Sequence, residues 1–365
     1  MLIYYIILAL TILFGALVMK SASRVVRCLS WVLLFAVWTM PAVLRYGIGT
    51  DYLGTYTELI RAAIDGEMAT EPGYYALERL MLGVSGDNGY FVFGAASVLT
   101  YFFALISFPR KGFLFAALWF VLTLYTFSYN GIRQSVATSF VLCAFACHLT
   151  RRRFMGAVFL ALACTFHFSV FACLGMIIGA EALVRLRKGV CRRFLVVAVI
   201  SLSVALFAVQ ILKVSMPEES RYIQYLVDEQ YAEEVSAKLK FLEVVYSFIS
   251  FALAWCLWDE RGRTRSQHLI ACLCLMAACV RLASLEWEIL RRFSYSTDFA
   301  LPFALALAYR RKAFGCKLVL SGALICWTVL FAYGLMPGER GVSWHDVVPY
   351  RTFFDVARPE WEVNR

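Results

Sequence analysis

Charge is what this 365-residue sequence has least of: Asp, Glu, Lys and Arg supply 16% of it, against 61% apolar residues. A soluble protein carries roughly 25% charged residues, so this composition excludes an ordinary soluble domain. The chain has no Cys-x-x-Cys pair. Its twelve cysteines, among them Cys143, Cys147, Cys272, Cys274, Cys279 and Cys326, fall mostly inside apolar runs. That excludes a zinc ribbon or disulfide framework and leaves them as small, polarisable filling. A basic n-region is missing ahead of the first apolar run, Leu2 to Met19. Lys20, Arg24 and Arg27 stand where a small-residue cleavage site would belong, so the run reads as a retained span. The one Gly-x-Gly near a polar loop, Gly47-Ile48-Gly49, follows no strand and is not a nucleotide loop. The formal charge of +10 does not indicate nucleic acid either. Lys and Arg sit in short clusters at the ends of apolar runs, as in Arg151-Arg152-Arg153 and Arg310-Arg311-Lys312, where they set membrane topology.

Long apolar runs are what remain. They cover residues 2–19, 29–44, 90–108, 113–129, 135–149, 154–184, 194–212, 241–258, 269–285, 293–309 and 317–336. As one helix, 154–184 would be about 46 Å long, well beyond a hydrocarbon core of roughly 30 Å. Basic clusters bracket it, so it is expected to cross and return, with the turn at its only polar break, Phe166-His167-Phe168-Ser169. The expectation is an all-α polytopic integral membrane protein with about twelve transmembrane helices, one transmembrane domain over residues 1–365. The segments 20–28, 109–112, 150–153, 185–193, 259–268 and 310–317 hold 20 of the 35 Lys and Arg and two acids, Asp259 and Glu260. All are expected on the cytoplasmic side. The loops 45–89 and 213–240, the tail 337–365 and both termini then face outward. Loop 45–89 is expected to hold a short helix from Pro72 to Leu82 capped by Thr70, and 213–240 an amphipathic one.

Under that topology four polar clusters share the outer leaflet: Arg45 to Tyr52, Asn130 to Gln134, His167 with Ser169, and Arg291 to Tyr295 with Asp298 a turn deeper. Taken singly, most have a plain reading. Arg45 is equally a snorkelling side chain, His167 a satisfied turn residue, and Asp298 a structural partner for Arg292. Arg133 is harder to dismiss, since apolar runs flank it and arginine in a membrane is costly without a partner or a cavity. Together, arginines, an acid and a histidine at one leaflet suit an anionic, lipid-linked substrate, because guanidinium grips phosphate oxygens bidentately.

These residues resemble the EpsG-type exopolysaccharide polymerases, which are related in function to the Wzy polymerases. The resemblance is carried by Arg45-Tyr-Gly-Ile-Gly-Thr-Asp51-Tyr52 with Tyr56, and by Glu71-Pro-Gly-Tyr74. It continues in Phe127-Ser-Tyr-Asn130-Gly-Ile-Arg133-Gln134-Ser-Val-Ala137, Ala163-Cys-Thr-Phe-His167-Phe-Ser169, Arg292-Phe-Ser-Tyr295 ahead of Pro302, and Val348-Pro349-Tyr350. Loop 213–240 and the acidic tail have no counterpart in the pattern. The resemblance implies a GT-C-like membrane glycosyltransferase that needs neither cofactor nor metal. It would join oligosaccharide repeat units carried on undecaprenyl pyrophosphate, at the outer face of a bacterial cytoplasmic membrane. Other polysaccharide-assembly proteins are possible partners.

For that chemistry, Arg133 and Arg45, with Arg292, are expected to stabilise charge on the departing pyrophosphate. Asp51 or His167 would take the acceptor proton. Tyr52, Glu71, Asn130, Gln134 and Tyr295 would bind or position substrate. Two alternatives stand beside this one. A flippase for the same lipid-linked sugars would need polar residues along the helix interiors, which are nearly bare. A membrane acyltransferase would need an inner histidine with catalytic company, and His148 and His268 have none.

Overall fold

A computed structural model of the chain describes residues 1–185, 196, 197, 200, 237–258, 264–285, 288–336 and 347–355. Most of the apolar run 194–212, all but the end of the loop 213–240, and most of the tail 337–365 lie outside the described residues. Among those described, every regular element is helical: α1 (Leu2–Lys20), α2 (Arg24–Leu44), α3 (Thr57–Ile64), α4 (Pro72–Ser85), α5 (Tyr90–Ser107), α6 (Phe113–Thr123), α7 (Ile132–Leu149), α8 (Arg153–Phe166), α9 (Val170–Arg185), α10 (Ala237–Leu257), α11 (Arg265–Ala283), α12 (Glu288–Thr297), α13 (Leu301–Arg310) and α14 (Phe314–Gly334). Seven of them, α1, α2, α5, α7, α10, α11 and α14, are long and apolar enough to cross a bilayer. The protein is a polytopic, all-helical membrane protein.

Three apolar runs of the sequence are broken. Run 154–184 divides at His167, which leaves the helical region as extended backbone between α8 and α9. Run 113–129 stops at Thr123, because Thr126, Ser128 and Tyr129 fold into a tight turn that satisfies its polar groups internally. There the Ser128 hydroxyl donates to the Tyr125 carbonyl at 2.6 Å and shares a 2.7 Å hydrogen bond with the Tyr101 hydroxyl. Run 293–309 is interrupted by a tight turn at Asp298–Ala300, and α13 restarts with Pro302 in its first turn, where a missing N–H costs nothing.

The helix in the first long loop runs from Pro72 to Ser85. Its cap differs from expectation: Glu71 occupies the N-cap position, and the Thr70 hydroxyl donates instead to Glu78 at 3.0 Å. Gly86 ends the helix in the left-handed conformation, φ 64°, which a glycine adopts without a Cβ penalty.

Packing divides the chain into two compact units, residues 1–170 with 324–365, and residues 171–323. In the first, α1 packs on α2 and α6, α2 on α5, and α7 on α5 and α8. The Trp38 ring stacks on Phe120 at 4.9 Å, and its indole N–H donates to the Thr11 hydroxyl at 2.9 Å, tying α2 to α6 and α1. Successive helices of this unit alternate in direction. The connections 45–89, 124–131 and 167–169 therefore gather at one end of it. Lys20 to Arg24, Arg110-Lys111 and Arg151 to Arg153 gather at the other. In the second unit α11 packs on α10, α12 and α13. The Ser247 hydroxyl donates to the Ala278 carbonyl at 2.8 Å across the α10–α11 contact.

Candidate functional site

Arg45 ends α2 and is 1% exposed. Its guanidinium lies over the Tyr129 ring, 4.3 Å from the centroid, and none of its three nitrogens has a hydrogen-bond partner. A cation–π contact returns about 2 kcal/mol when desolvated, less than the several kcal/mol that burying an uncompensated charge costs. Tyrosines build the enclosure. Tyr129 donates to the Tyr125 hydroxyl at 3.1 Å, and Tyr125 donates to the Trp38 carbonyl at 2.9 Å. Tyr4 lies 6.4 Å from both Tyr129 and Tyr350, measured between ring centroids. Residues 347–355 form a strap beside the arginine. The Tyr4 hydroxyl donates to the Val347 carbonyl at 2.8 Å, Tyr350 to the Pro41 carbonyl at 2.6 Å, and the Tyr46 amide to the Arg351 carbonyl at 3.0 Å. A single antiparallel bridge joins Arg45 to Thr352.

The loop after Arg45 is folded against the start of α7. Gly49 holds φ 109°, and a Cβ there would stand 2.5 Å from the Asn130 side-chain oxygen and 2.9 Å from the Tyr129 carbonyl. Asp51 leads into a single wide turn, Tyr52–Tyr56, and its carbonyl accepts the Tyr56 amide at 3.0 Å. Tyr52 is buried and stacks on Phe93 at 4.4 Å. The Tyr56 hydroxyl accepts the Ile132 amide at 3.0 Å, which pins the loop to the first turn of α7. Asn130 and Gln134 are buried on either side of that turn.

Arg133 forms an ion pair with Glu71, the N-cap of α4. Behind that pair lies Glu78, also 1% exposed, with Oε2 taken by Thr70 and Oε1 without a hydrogen-bond partner. Burial pushes its carboxyl up to about 7, against the opposing pull of the Thr70 hydrogen bond and the Arg133 charge. Tyr74 is fully buried one helical turn before Glu78, and burial raises its phenol well above the usual range. The charges and phenols that act on it are those of Tyr56, Glu78, Arg133 and Arg45, and its buried hydroxyl makes no hydrogen bond. His167 reaches the same end through α8, whose Thr165 lies against Gly73. The ring's Nδ1 accepts the Ser169 amide at 3.1 Å and sits 2.9 Å from the Ser169 hydroxyl. Accepting a backbone N–H puts the proton of the neutral ring on Nε2, which makes that nitrogen a donor.

The first unit thus brings Arg45, Asp51, Tyr52, Glu71, Asn130, Arg133, Gln134 and His167 to one end. Arg292 and Tyr295 belong to the second unit, on α12, with Arg292 exposed and Tyr295 half-buried. Asp298 is not the partner of Arg292 that the sequence suggested. It is buried and takes a forked pair from Arg281, Nε at 3.0 Å and Nη2, while Arg281 Nη1 donates to Glu243 at 2.7 Å. The same guanidinium lies 4.4 Å from the Tyr246 ring centroid. Arg281 is itself buried on α11, beside the acids it holds. No group of three or more His, Cys, Asp or Glu suited to a metal ion occurs among the described residues.

Residues 28–352 match the model of the EpsG family. The chain belongs to the EpsG family. Neither a search of curated proteins nor one of solved structures returned a match. EpsG membership makes this a membrane protein of the exopolysaccharide polymerase type, and the matched span includes Arg45, Glu71, Arg133, His167 and the start of the strap. Sequence reasoning met Tyr74 only as the end of the Glu71-Pro-Gly-Tyr74 motif, and missed Glu78 and the tyrosine enclosure. Glu78 left a signal: Tyr74, Glu78 and Leu82 recur every four residues, which puts a carboxylate on the buried stripe of an amphipathic helix.

Proposed function

We propose that this EpsG-family protein is a membrane glycosyltransferase joining undecaprenyl-pyrophosphate-linked oligosaccharide repeat units into exopolysaccharide, capsule or O-antigen. It works from the outer face of the bacterial cytoplasmic membrane, without a metal. Three further spans, made by α6, α8 and α9, join the seven long helices, with one expected from the apolar sequence of 194–212 and one from the broken segment α12–α13. That gives twelve, in a GT-C-like arrangement, with the site facing periplasm or exterior.

The observation that carries this reading is Arg45. A buried guanidinium whose nitrogens meet no acceptor, enclosed by phenols, is built for an anion, and bidentate pyrophosphate oxygens match its fork. The basic connections lie at the opposite end of the unit, which supports an outward-facing site. As the acceptor hydroxyl attacks the anomeric carbon, negative charge grows on the departing pyrophosphate. Arg45 and Arg133 stabilise that charge, and the Nε2–H of His167 adds a donor. Tyr52, Asn130 and Gln134 shape the pocket. Glu71 fixes Arg133. The acceptor's proton goes to a carboxylate of the loop 45–89.

Charge-conserving substitution tests the proposal. Arg45→Lys and Arg133→Lys keep the charge and lose the fork. Each is expected to lower polymer formation by about a hundredfold or more in a complemented deletion strain, with parental amounts of protein in the membrane. Parental polymer from Arg45→Lys would contradict the proposal.

A further inference from the structure

The loop that holds Asp51 also holds a carboxylate in a more unusual setting. Glu78 occupies a position on α4 where an apolar side chain would pack between Tyr74 and Leu82. Its Oε2 is engaged by Thr70, and its buried Oε1 is left with its acceptor capacity unused. The charged groups acting on it are Arg133, from α7, and Glu71, from the cap of its own helix, and the Tyr74 hydroxyl is beside it. Two acids therefore face one guanidinium, and Arg133 is already paired with Glu71. An ionisable group kept in such a place points to use rather than packing.

Resting on the polymerase reading, we infer that Glu78 is the catalytic base, its Oε1 receiving the proton of the acceptor hydroxyl. The acceptor oxygen forms its bond to the anomeric carbon as the carbon–oxygen bond to pyrophosphate breaks. The electron pair leaves on the pyrophosphate oxygen, and the hydroxyl proton passes to Oε1. Glu78 then returns that proton to water. Asp51, half-buried at the start of the loop's turn, orients the acceptor. A carboxyl titrating near 7 suits this task, because it is substantially ionised at neutral pH and still a competent proton acceptor.

The test uses the purified full-length protein in proteoliposomes. It is supplied with lipid-pyrophosphate-linked repeat units extracted from a strain that lacks the protein, and polymer formation is followed against pH. Glu78→Gln is expected to polymerise at least about a hundredfold more slowly while still binding the units. Thr70→Val removes a hydrogen bond that favours the ionised carboxylate, so the acid limb of its rate profile is expected to move to higher pH. Parental polymerisation by Glu78→Gln, or an unmoved limb in Thr70→Val, overturns the assignment. So does loss of activity in Asp51→Asn alongside a parental rate in Glu78→Gln, which returns the proton to Asp51. Absence of polymer from the unsubstituted protein would instead overturn the polymerase reading itself.

Discussion

Arg45 and Arg133 show two ways of handling a guanidinium in the same small region. Arg133 meets Glu71 across 62 positions of sequence and is neutralised by it; Arg45 meets aromatic faces and no carboxylate. The motifs around both were legible in the sequence, because arginine next to apolar runs is rare enough to stand out. The partners were not, since nothing in a linear pattern brings Glu71 to Arg133 or Tyr129 to Arg45. Glu78 adds a stability prediction at this scale. Burial raises its carboxyl above the ordinary 4.5 to about 7, so the folded protein holds the proton more tightly than the unfolded chain. Its contribution to stability falls as pH rises from about 4.5 through about 7 and stays low above that. Glu78→Gln should therefore be more stable than the parent at pH 8 by roughly 2–3 kcal/mol, with the gain vanishing towards pH 4.5. Thermal unfolding in detergent at the two pH values checks this. A substitution that stabilises the fold and stops polymerisation would separate chemistry from packing.

Helices and turns were legible where length or chain stiffness constrained them. The break at His167 followed from a run too long for one crossing, and the helix after Pro72 from proline's place in a first turn. The breaks after Thr123 and at Asp298 were invisible because hydropathy counts side chains and does not register where backbone groups find partners. Serine and tyrosine hydroxyls close the first turn from within; Arg281 buries the acid of the second. Two expectations belong here. Gly49→Ala forces a left-handed backbone to carry a Cβ against Asn130 and the Tyr129 carbonyl. It should detach the loop from α7 and abolish polymer formation, while helical content by circular dichroism stays unchanged. Arg281→Met leaves Glu243 and Asp298 buried without their shared cation and should cost about 3–5 kcal/mol, read as a lower unfolding temperature in detergent. An unchanged unfolding temperature would mean the cluster is not structural.

For the whole molecule, composition alone made the class legible: a chain 61% apolar whose charges sit between its runs belongs in a bilayer. The alternation of helices in the first unit gives that reading a direction, with basic connections at one end and Arg45, Arg133 and His167 at the other. Single cysteines introduced at Glu67 and at Arg151, in a background with the native cysteines replaced, should report this. The first should react with an impermeant maleimide added to intact cells, and the second only after the membrane is opened. The reverse labelling would put the site on the cytoplasmic side. The central claim, that the Arg45 enclosure holds pyrophosphate while sugar units are joined, meets its most direct test in reconstitution. Purified protein in proteoliposomes, given lipid-pyrophosphate-linked repeat units, should produce a ladder of polymer and release one lipid pyrophosphate per linkage, and Arg45→Lys should do neither. Units that cross the bilayer without lengthening, or a ladder that Arg45→Lys leaves intact, would contradict the account.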